Sequence, residues 1–316
     1  MVYTVTFNPA IDYVVHTDEM KLGEINRADR EMMFFGGKGI NVSVMLERMG
    51  IKSVALGFTA GFTGEAIEKG VEALGVGADF IRLEKGNSRI NVKIKSGQET
   101  ELNGQGPDID SVSLEKLFAK LDRLTEGDTL ILAGSIPKTL PADIYEKILK
   151  RLQGRGIRFV VDAAGALLLN VLKYRPFLIK PNNIELGEMF GAKLEGLADI
   201  EKYAKKLQEM GAANVLVSMA GDGAFLLDEN GRTYSCGVCE GVVKNSVGAG
   251  DSMVAGFMAS VIMQENWDSA IPVNYRDALI EGTAAGGATA FSDDLGKKKD
   301  IDRLRDQLYR QMEKEN

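Results

Sequence analysis

From about residue 113 onward, short apolar runs alternate with amphipathic stretches, and this alternation limits the possible folds more than any other feature. The runs at 128–133, 157–161, 177–179 and 214–218 are short and apolar throughout, as strands buried on both faces are. Between them, 114–124, 141–153 (with Pro141 near its start) and 198–210 carry helical periodicity. Buried strands separated by helices specify an α/β fold: a mostly parallel sheet with helices on both faces. Ligands of such sheets gather at the carboxyl ends of the strands. Upstream, 2–7, 53–58 and 78–83 read as strands, and 40–49 and 64–74 as helices. Gly50 is the expected residue just past the helix 40–49. Downstream, 224–227 and 233–234 suggest a late hairpin, 275–291 an alanine- and glycine-rich helix, and 300–313 a charged terminal helix.

Two stretches do not fit this rhythm. Residues 13–35 read as short strands around Leu22-Gly23-Glu24, and 88–102 as a hairpin with one wet face. No linker, repeat or low-complexity segment divides the chain. The 316 residues carry a net charge of −7, which gives no surface suited to nucleic acid or an anionic membrane. No apolar run approaches the ~18 residues of a membrane span. The amino terminus lacks the pattern of a signal peptide, and two cysteines build no disulfide framework, so a cytoplasmic protein is expected.

The chemistry concentrates at Asn245-Ser246-Val247-Gly248-Ala249-Gly250-Asp251, which opens an apolar, helical run. A helix start here presents free N–H groups at the positive end of its dipole, and Gly248 and Gly250 add no side chains to hold an anion off. A carboxylate beside an anion site is repulsive unless it has work to do. The amides of Gly248, Ala249 and Gly250 can hold charge developing on a phosphoryl group while Asp251 takes a proton from the attacking hydroxyl. A helix start with an acidic cap is the plainer reading of the same residues. Gly36-Gly37-Lys38-Gly39-Ile40-Asn41 opens an earlier helix with a lysine among glycines. It is not a Walker A loop, because Gly39 replaces the required Ser or Thr. Asp12 follows the first strand closely, as a ligand or a turn residue after Pro9. Arg89 is either a solvated strand residue or an anion contact. Other candidates fail. Met253 stands where a dinucleotide fingerprint needs its third glycine. Cys236 and Cys239 with one histidine, His16, cannot close a zinc site.

Taken together, these residues resemble the ribokinase-like (phosphofructokinase B) carbohydrate kinases over nearly the whole chain. Gly36 to Ser43 with Gly50 resembles the first family signature, although Ala60 stands where glycine is usual. Asn245 to Asp251 resembles the second, with Asn245 where many members have Asp. Lys180-Pro181-Asn182-x-x-Glu185 resembles the element that serves magnesium and phosphate. The resemblance implies one domain over 1–316, a three-layer α/β sandwich with a small β-sheet lid from about 12–35 and 87–105. It implies a homodimer through the lids. ATP would lie over Gly248, Ala249 and Gly250, near Lys180, Asn182, the loop Ser218 to Gly223 with Gly221, and the 275–291 helix. Asp251 would be the base, and Glu185 would hold Mg2+ through water. Asp12, Gly39 and Asn41 would hold sugar hydroxyls. Lys38 and Arg89, with Ser135, would face the sugar's own phosphate. Asn91 and Lys93, two apart on a strand, could face the closed site from one side, or could be solvated hairpin residues. The implied activity is an ATP-dependent hexose-phosphate kinase. Fructose 1-phosphate is the expected acceptor, and tagatose 6-phosphate and fructose 6-phosphate are the alternatives. A non-catalytic sugar-phosphate sensor is the competing class, and it has no need of Asp251.

Overall fold

The computed structural model describes residues 1–268 and 270–314. In chain order, β1 (Val2–Thr6), β2 (Ala10–His16) and β3 (Arg30–Gly36) precede α1 (Lys38–Arg48). There follow β4 (Ser53–Ala60), α2 (Gly61–Ala73), β5 (Gly77–Ala78), β6 (Ile81–Leu83), β7 (Arg89–Lys95) and β8 (Glu99–Asn103). The regular βα part holds α3 (Ser111–Leu121), β9 (Thr129–Ala133), α4 (Ile144–Leu152), β10 (Arg158–Asp162) and α5 (Gly165–Leu169). It continues with β11 (Leu178–Ile179), α6 (Asn183–Met189), α7 (Leu197–Glu209) and β12 (Asn214–Ser218). β13 (Ala224–Leu227), β14 (Thr233–Cys236), α8 (Ala249–Trp267), α9 (Tyr275–Ala290) and α10 (Lys298–Lys314) complete it.

The main sheet has 10 strands in the order β14-β13-β12-β11-β10-β9-β1-β4-β5, with β6 beside β4. β12 through β5 run parallel, and the hairpin β13–β14 adds an antiparallel edge. Each central strand alternates its apolar residues between two cores. Ile131, Val160 and Leu216 face the layer of α1, α8, α9 and α10, while Leu132, Val161 and Val217 face that of α3, α4 and α7. α8 and α9 lie close because Gly256 meets Gly282: a Cβ on Gly256 would stand 2.9 Å from the Gly282 Cα. The three-layer α/β sandwich expected from the sequence is therefore present.

A separate 4-stranded sheet, β3-β2-β7-β8, is built from the two stretches outside the βα rhythm. β2 pairs in parallel with β7, which sets Asp12 opposite Asn91. One face is wet: Met33, Ile90 and Leu102 are exposed.

Several sequence expectations need correction. Asp12 lies on β2 of the small sheet, not at the carboxyl end of a main-sheet strand, because the chain leaves the main sheet at Asn8-Pro9. The single strand expected over 78–83 is two, β5 and β6, which pair with different parts of β4. Pro141 precedes α4 by a turn, since the helix begins at Ile144. The short helices α5 and α6 lacked the length to show a periodicity.

Candidate active site

The chain passes from β1 to β4 on one side and later returns to β9 on the other, so the sheet has a switch point at β1. The crevice beyond the strand ends at such a point is the expected ligand site. Two cavities open there, of about 450 and 440 Å³, and they share Gly37, Lys38, Arg89 and Asp162. Ser135 lines the first, and Asp12, Asn91, Glu185, Gly248 and Asp251 line the second.

Asp251 stands in the first turn of α8 and is almost wholly buried. Burial, and then the negative charge of Asp162, push its carboxyl up to about 6. Lys38, the Asn41 hydrogen bond and Lys180 oppose the shift without cancelling it. Asn41 Nδ2 donates to Asp251 Oδ2 at 2.8 Å and fixes its orientation. Gly248 is the N-cap of α8 at φ 80°, and no side chain caps the helix. The Ala249 amide is already committed to the Ser246 carbonyl at 3.2 Å. The amides of Gly248, Gly250 and Asp251 have no protein acceptor among the described hydrogen bonds and are the free donors of this turn.

Asp162, at the end of β10, is the main site residue that sequence reasoning missed. Its carboxylate lies 3.4 Å from Lys38 and 3.4 Å from Lys180. Burial would raise its pKa, but Lys180 and Lys38 outweigh it and hold the group below the ordinary carboxylate range. Lys38 keeps its side chain 45% exposed; desolvation lowers its pKa, but the carboxylates of Asp162 and Asp251 outweigh that and raise it. A Cβ on Gly250 would lie 3.1 Å from the Lys180 ammonium, so that lysine underlies the free amides. The one available signal for Asp162 was its position at the end of a buried strand, which many turn residues share.

Asn182 and Glu185 form a reciprocal capping box at the start of α6, each contact 2.8 Å. Asn182 also bridges to Ser218, which brings the end of β12 to the cavity wall. Among the described residues no group of three or more His, Cys, Asp or Glu side chains could hold a metal by itself. Mg2+ needs less, since it commonly takes one or two carboxylates, waters and the substrate's phosphates. Glu185 fits that donor set, with Oε2 in the cap and Oε1 left for a hydrated ion.

On the small sheet, both Asp12 oxygens are engaged from β7. Asn91 Nδ2 donates to Oδ1 at 2.8 Å, and the Lys93 ammonium is 3.7 Å from Oδ2. Lys93 is buried, lines the second cavity and also lies 3.8 Å from Glu101. Asn91 Oδ1 is buried without a partner. Arg89 donates from Nε to the Asn8 carbonyl at 3.0 Å, and burial lowers its pKa against the pull of Asp12.

Some expected positions behave otherwise. Asn41 spends its Nδ2 on Asp251, while the residue also lines the second cavity. Gly39 lines neither cavity; a Cβ there would stand 2.8 Å from the Val5 carbonyl, so its role is to let α1 approach β1. Gly37 lines both cavities in its place. Gly221 and Gly223 lie beyond Ser218 and off both walls, Gly223 beneath the Cys236 carbonyl. α9 is buried behind α8 and reaches neither cavity.

A carboxyl tuned near neutrality, set among ammonium groups and unspent amides, can accept a hydroxyl proton while negative charge builds beside it. That is the requirement of phosphoryl transfer to an alcohol, and fold and site together define a small-molecule kinase. Residues 5–291 match the pfkB family carbohydrate kinases. The chain is 45% identical over 304 residues to a 1-phosphofructokinase of Bacillus subtilis, covering 96% of this chain and 97% of that one. It is 36% identical over 310 residues to a D-tagatose-1-phosphate kinase of Bacillus licheniformis, covering 98% of each. A crystal structure described as a candidate phosphofructokinase of Staphylococcus aureus superposes with a TM-score of 0.85 at 40% identity, covering 97% of each chain. Arabidopsis thaliana ribokinase shares the fold at a TM-score of 0.75 and 18% identity, over 96% of this chain and 98% of that one. The chain therefore belongs to the pfkB family of carbohydrate kinases and has the ribokinase-like fold. It is an ATP-dependent sugar kinase.

Proposed function

We propose that this kinase transfers the γ-phosphoryl group of ATP to the 6-hydroxyl of fructose 1-phosphate, giving fructose 1,6-bisphosphate. The observation that carries this reading is the pair of cavities with a shared cationic wall. Lys38 and Arg89 stand between Ser135 on one side and Asp251 on the other. A sugar carrying a phosphate at one end and a reacting hydroxyl at the other suits that arrangement. Both relatives are named for ketohexoses phosphorylated at carbon 1, which supports the same orientation.

Asp12, held by Asn91 and Lys93, accepts hydrogen bonds from ring hydroxyls. Lys38 and Arg89, assisted by Ser135, neutralise the phosphate at carbon 1. Asp251 removes the proton from the attacking hydroxyl, and Asn41 keeps it aimed. The amides of Gly250 and Asp251, with Lys180 beneath, stabilise the charge spread over the transferring group. Gly248 keeps the approach to them clear, and Ser218, Gly221 and Gly223 flank the nucleotide. Mg2+, held through water by Glu185, would neutralise the phosphates and orient the leaving group. The small sheet acts as a lid that excludes water, and its wet apolar face pairs two copies into a homodimer. The enzyme works in the cytoplasm, where ATP is supplied. A binding-only sensor would gain nothing from a buried carboxylate raised to about 6 against its own anion site.

The test compares kcat/KM for fructose 1-phosphate, tagatose 1-phosphate, tagatose 6-phosphate and fructose 6-phosphate under one set of conditions. Fructose 1-phosphate should exceed both 6-phosphates by at least about tenfold, or ~1.4 kcal/mol of transition-state binding. A 6-phosphate in the lead would overturn the substrate assignment and leave the kinase chemistry standing.

A further inference from the structure

Arg48 lines neither cavity, yet it makes a concentrated set of contacts to a single loop. It closes α1 at the end opposite Lys38. Its Nη1 donates to the carbonyls of Leu295 at 2.5 Å and Gly296 at 3.0 Å, and its Nη2 lies 3.1 Å from an Asp294 carboxylate oxygen. The loop they belong to follows α9, and its Leu295 turns inward onto the N-cap of α8. A Cβ on Gly248 would stand 2.9 Å from Leu295 Cδ2.

The same loop carries the strand of chain that leads into the anion-binding turn. The amides of Lys244 and Asn245 both donate to the Ala290 carbonyl, at 2.8 and 3.1 Å. The Thr289 hydroxyl is 2.7 Å from that of Ser252 and accepts the Gly296 amide at 2.9 Å. The turn that offers free amides thus rests on 289–296, and Arg48 ties that segment to another helix. At its other end α1 presents Lys38 to Asp162 and Asn41 to Asp251. One helix of 11 residues therefore aims the base directly and sets the amides through Arg48 and Leu295.

We propose that Arg48 is a positioning residue for phosphoryl transfer: it holds Leu295 against Gly248 and so fixes the free amides relative to the Asp251 carboxylate. A planar guanidinium meets two carbonyls and a carboxylate with donors fixed in a fork, whereas an ammonium offers three donors from one freely rotating point of charge. A displacement of about 1 Å far from the chemistry can lower a rate by ~10²-fold when alignment is what catalysis depends on. The inference rests on reading Gly248–Asp251 as the phosphoryl site.

The experiment measures kcat, KM for ATP and KM for fructose 1-phosphate in Arg48→Gln, Arg48→Lys and Leu295→Ala, with folding checked by circular dichroism. Arg48→Gln should lower kcat by roughly 10- to 100-fold and raise KM for ATP, while KM for the sugar phosphate stays within about twofold. Arg48→Lys should recover part of kcat. Leu295→Ala keeps every Arg48 hydrogen bond and should show the same split more weakly. Wild-type parameters in a folded Arg48→Gln, or equal rises in both KM values, would overturn the proposal. Should Arg48→Gln fail to fold, Leu295→Ala decides alone, and unchanged kinetics there refute the positioning role. The phosphoryl-site reading fails separately, if Asp251→Asn stays active.

Discussion

Asp251 and Asn91 are about equally buried, at 4% and 8% exposure, but they are held in different ways. Asp251 begins a 19-residue helix packed against α1 and α9, and its partner Asn41 comes from α1. Asn91 stands on a small sheet whose other face carries exposed Ile90, Met33 and Leu102. The carboxylate proposed as the base is therefore held by the helices themselves. The residues proposed to contact the sugar are mounted on a separate 4-stranded sheet. The buried, unpartnered Asn91 Oδ1 fits this contrast. An unmet acceptor costs about 1–3 kcal/mol, and a sugar hydroxyl would relieve it.

The contrast is tested most severely at the base. Asp251→Asn should lower kcat by ~10²–10⁴-fold with nucleotide binding kept, as for a lost general base. In the wild type, the kcat/KM profile should rise with pH through about 6, because the carboxyl must be ionised to accept the proton. The sign for stability is opposite. The folded pKa lies above the ordinary value of 3.8, so this group favours the folded state when protonated, and that advantage is lost as pH rises from about 4 through about 6. Asp251→Asn should therefore melt at a higher temperature than the wild type at pH 7. A lower melting temperature would remove the strain attributed to this carboxylate.

The lid side of the contrast predicts a smaller and differently shaped loss. Lys93→Met takes the cation away from Asp12 and Glu101. It should raise KM for fructose 1-phosphate by about tenfold and leave KM for ATP near its wild-type value. Equal rises in both would mean that the small sheet supports the whole site and not the sugar alone. The smallest effect on turnover is expected from Leu102→Arg on the wet face. Light scattering at micromolar concentration should show a dimer for the wild type and dissociation toward monomer for the variant, since a charge would enter an apolar contact. A wild-type monomer would break the dimer proposal and leave the lid intact.

Much of the site was legible in the sequence because its parts are local. Gly248, Gly250 and Asp251 occupy one helix turn, and spacing alone shows that amides and a carboxylate must meet there. Asn182 and Glu185 likewise share one turn. The small sheet could be recognised because its alternating residues break the pattern of wholly apolar strands. Asp162 was not legible: a carboxylate after an apolar run is an ordinary way to end a strand. The bond from Asn41 to Asp251 was not legible either, because it joins residues 210 apart. Of the three amides expected to be free, Ala249 alone is engaged, since its bond to Ser246 depends on how the turn closes.

The sequence by itself determined the alternation of strands and helices, the two glycine turns and the acid at the second of them. These follow from backbone sterics and side-chain periodicity, which act between near neighbours. Only the tertiary structure decided what the charges do. It placed Lys38 and Lys180 on either side of Asp162 and buried Asp251 until its carboxyl rose to about 6. It also set Arg48 under the loop that supports the amides. Burial and Coulomb interaction depend on distance through space, and no spacing along a chain specifies that distance before the chain folds.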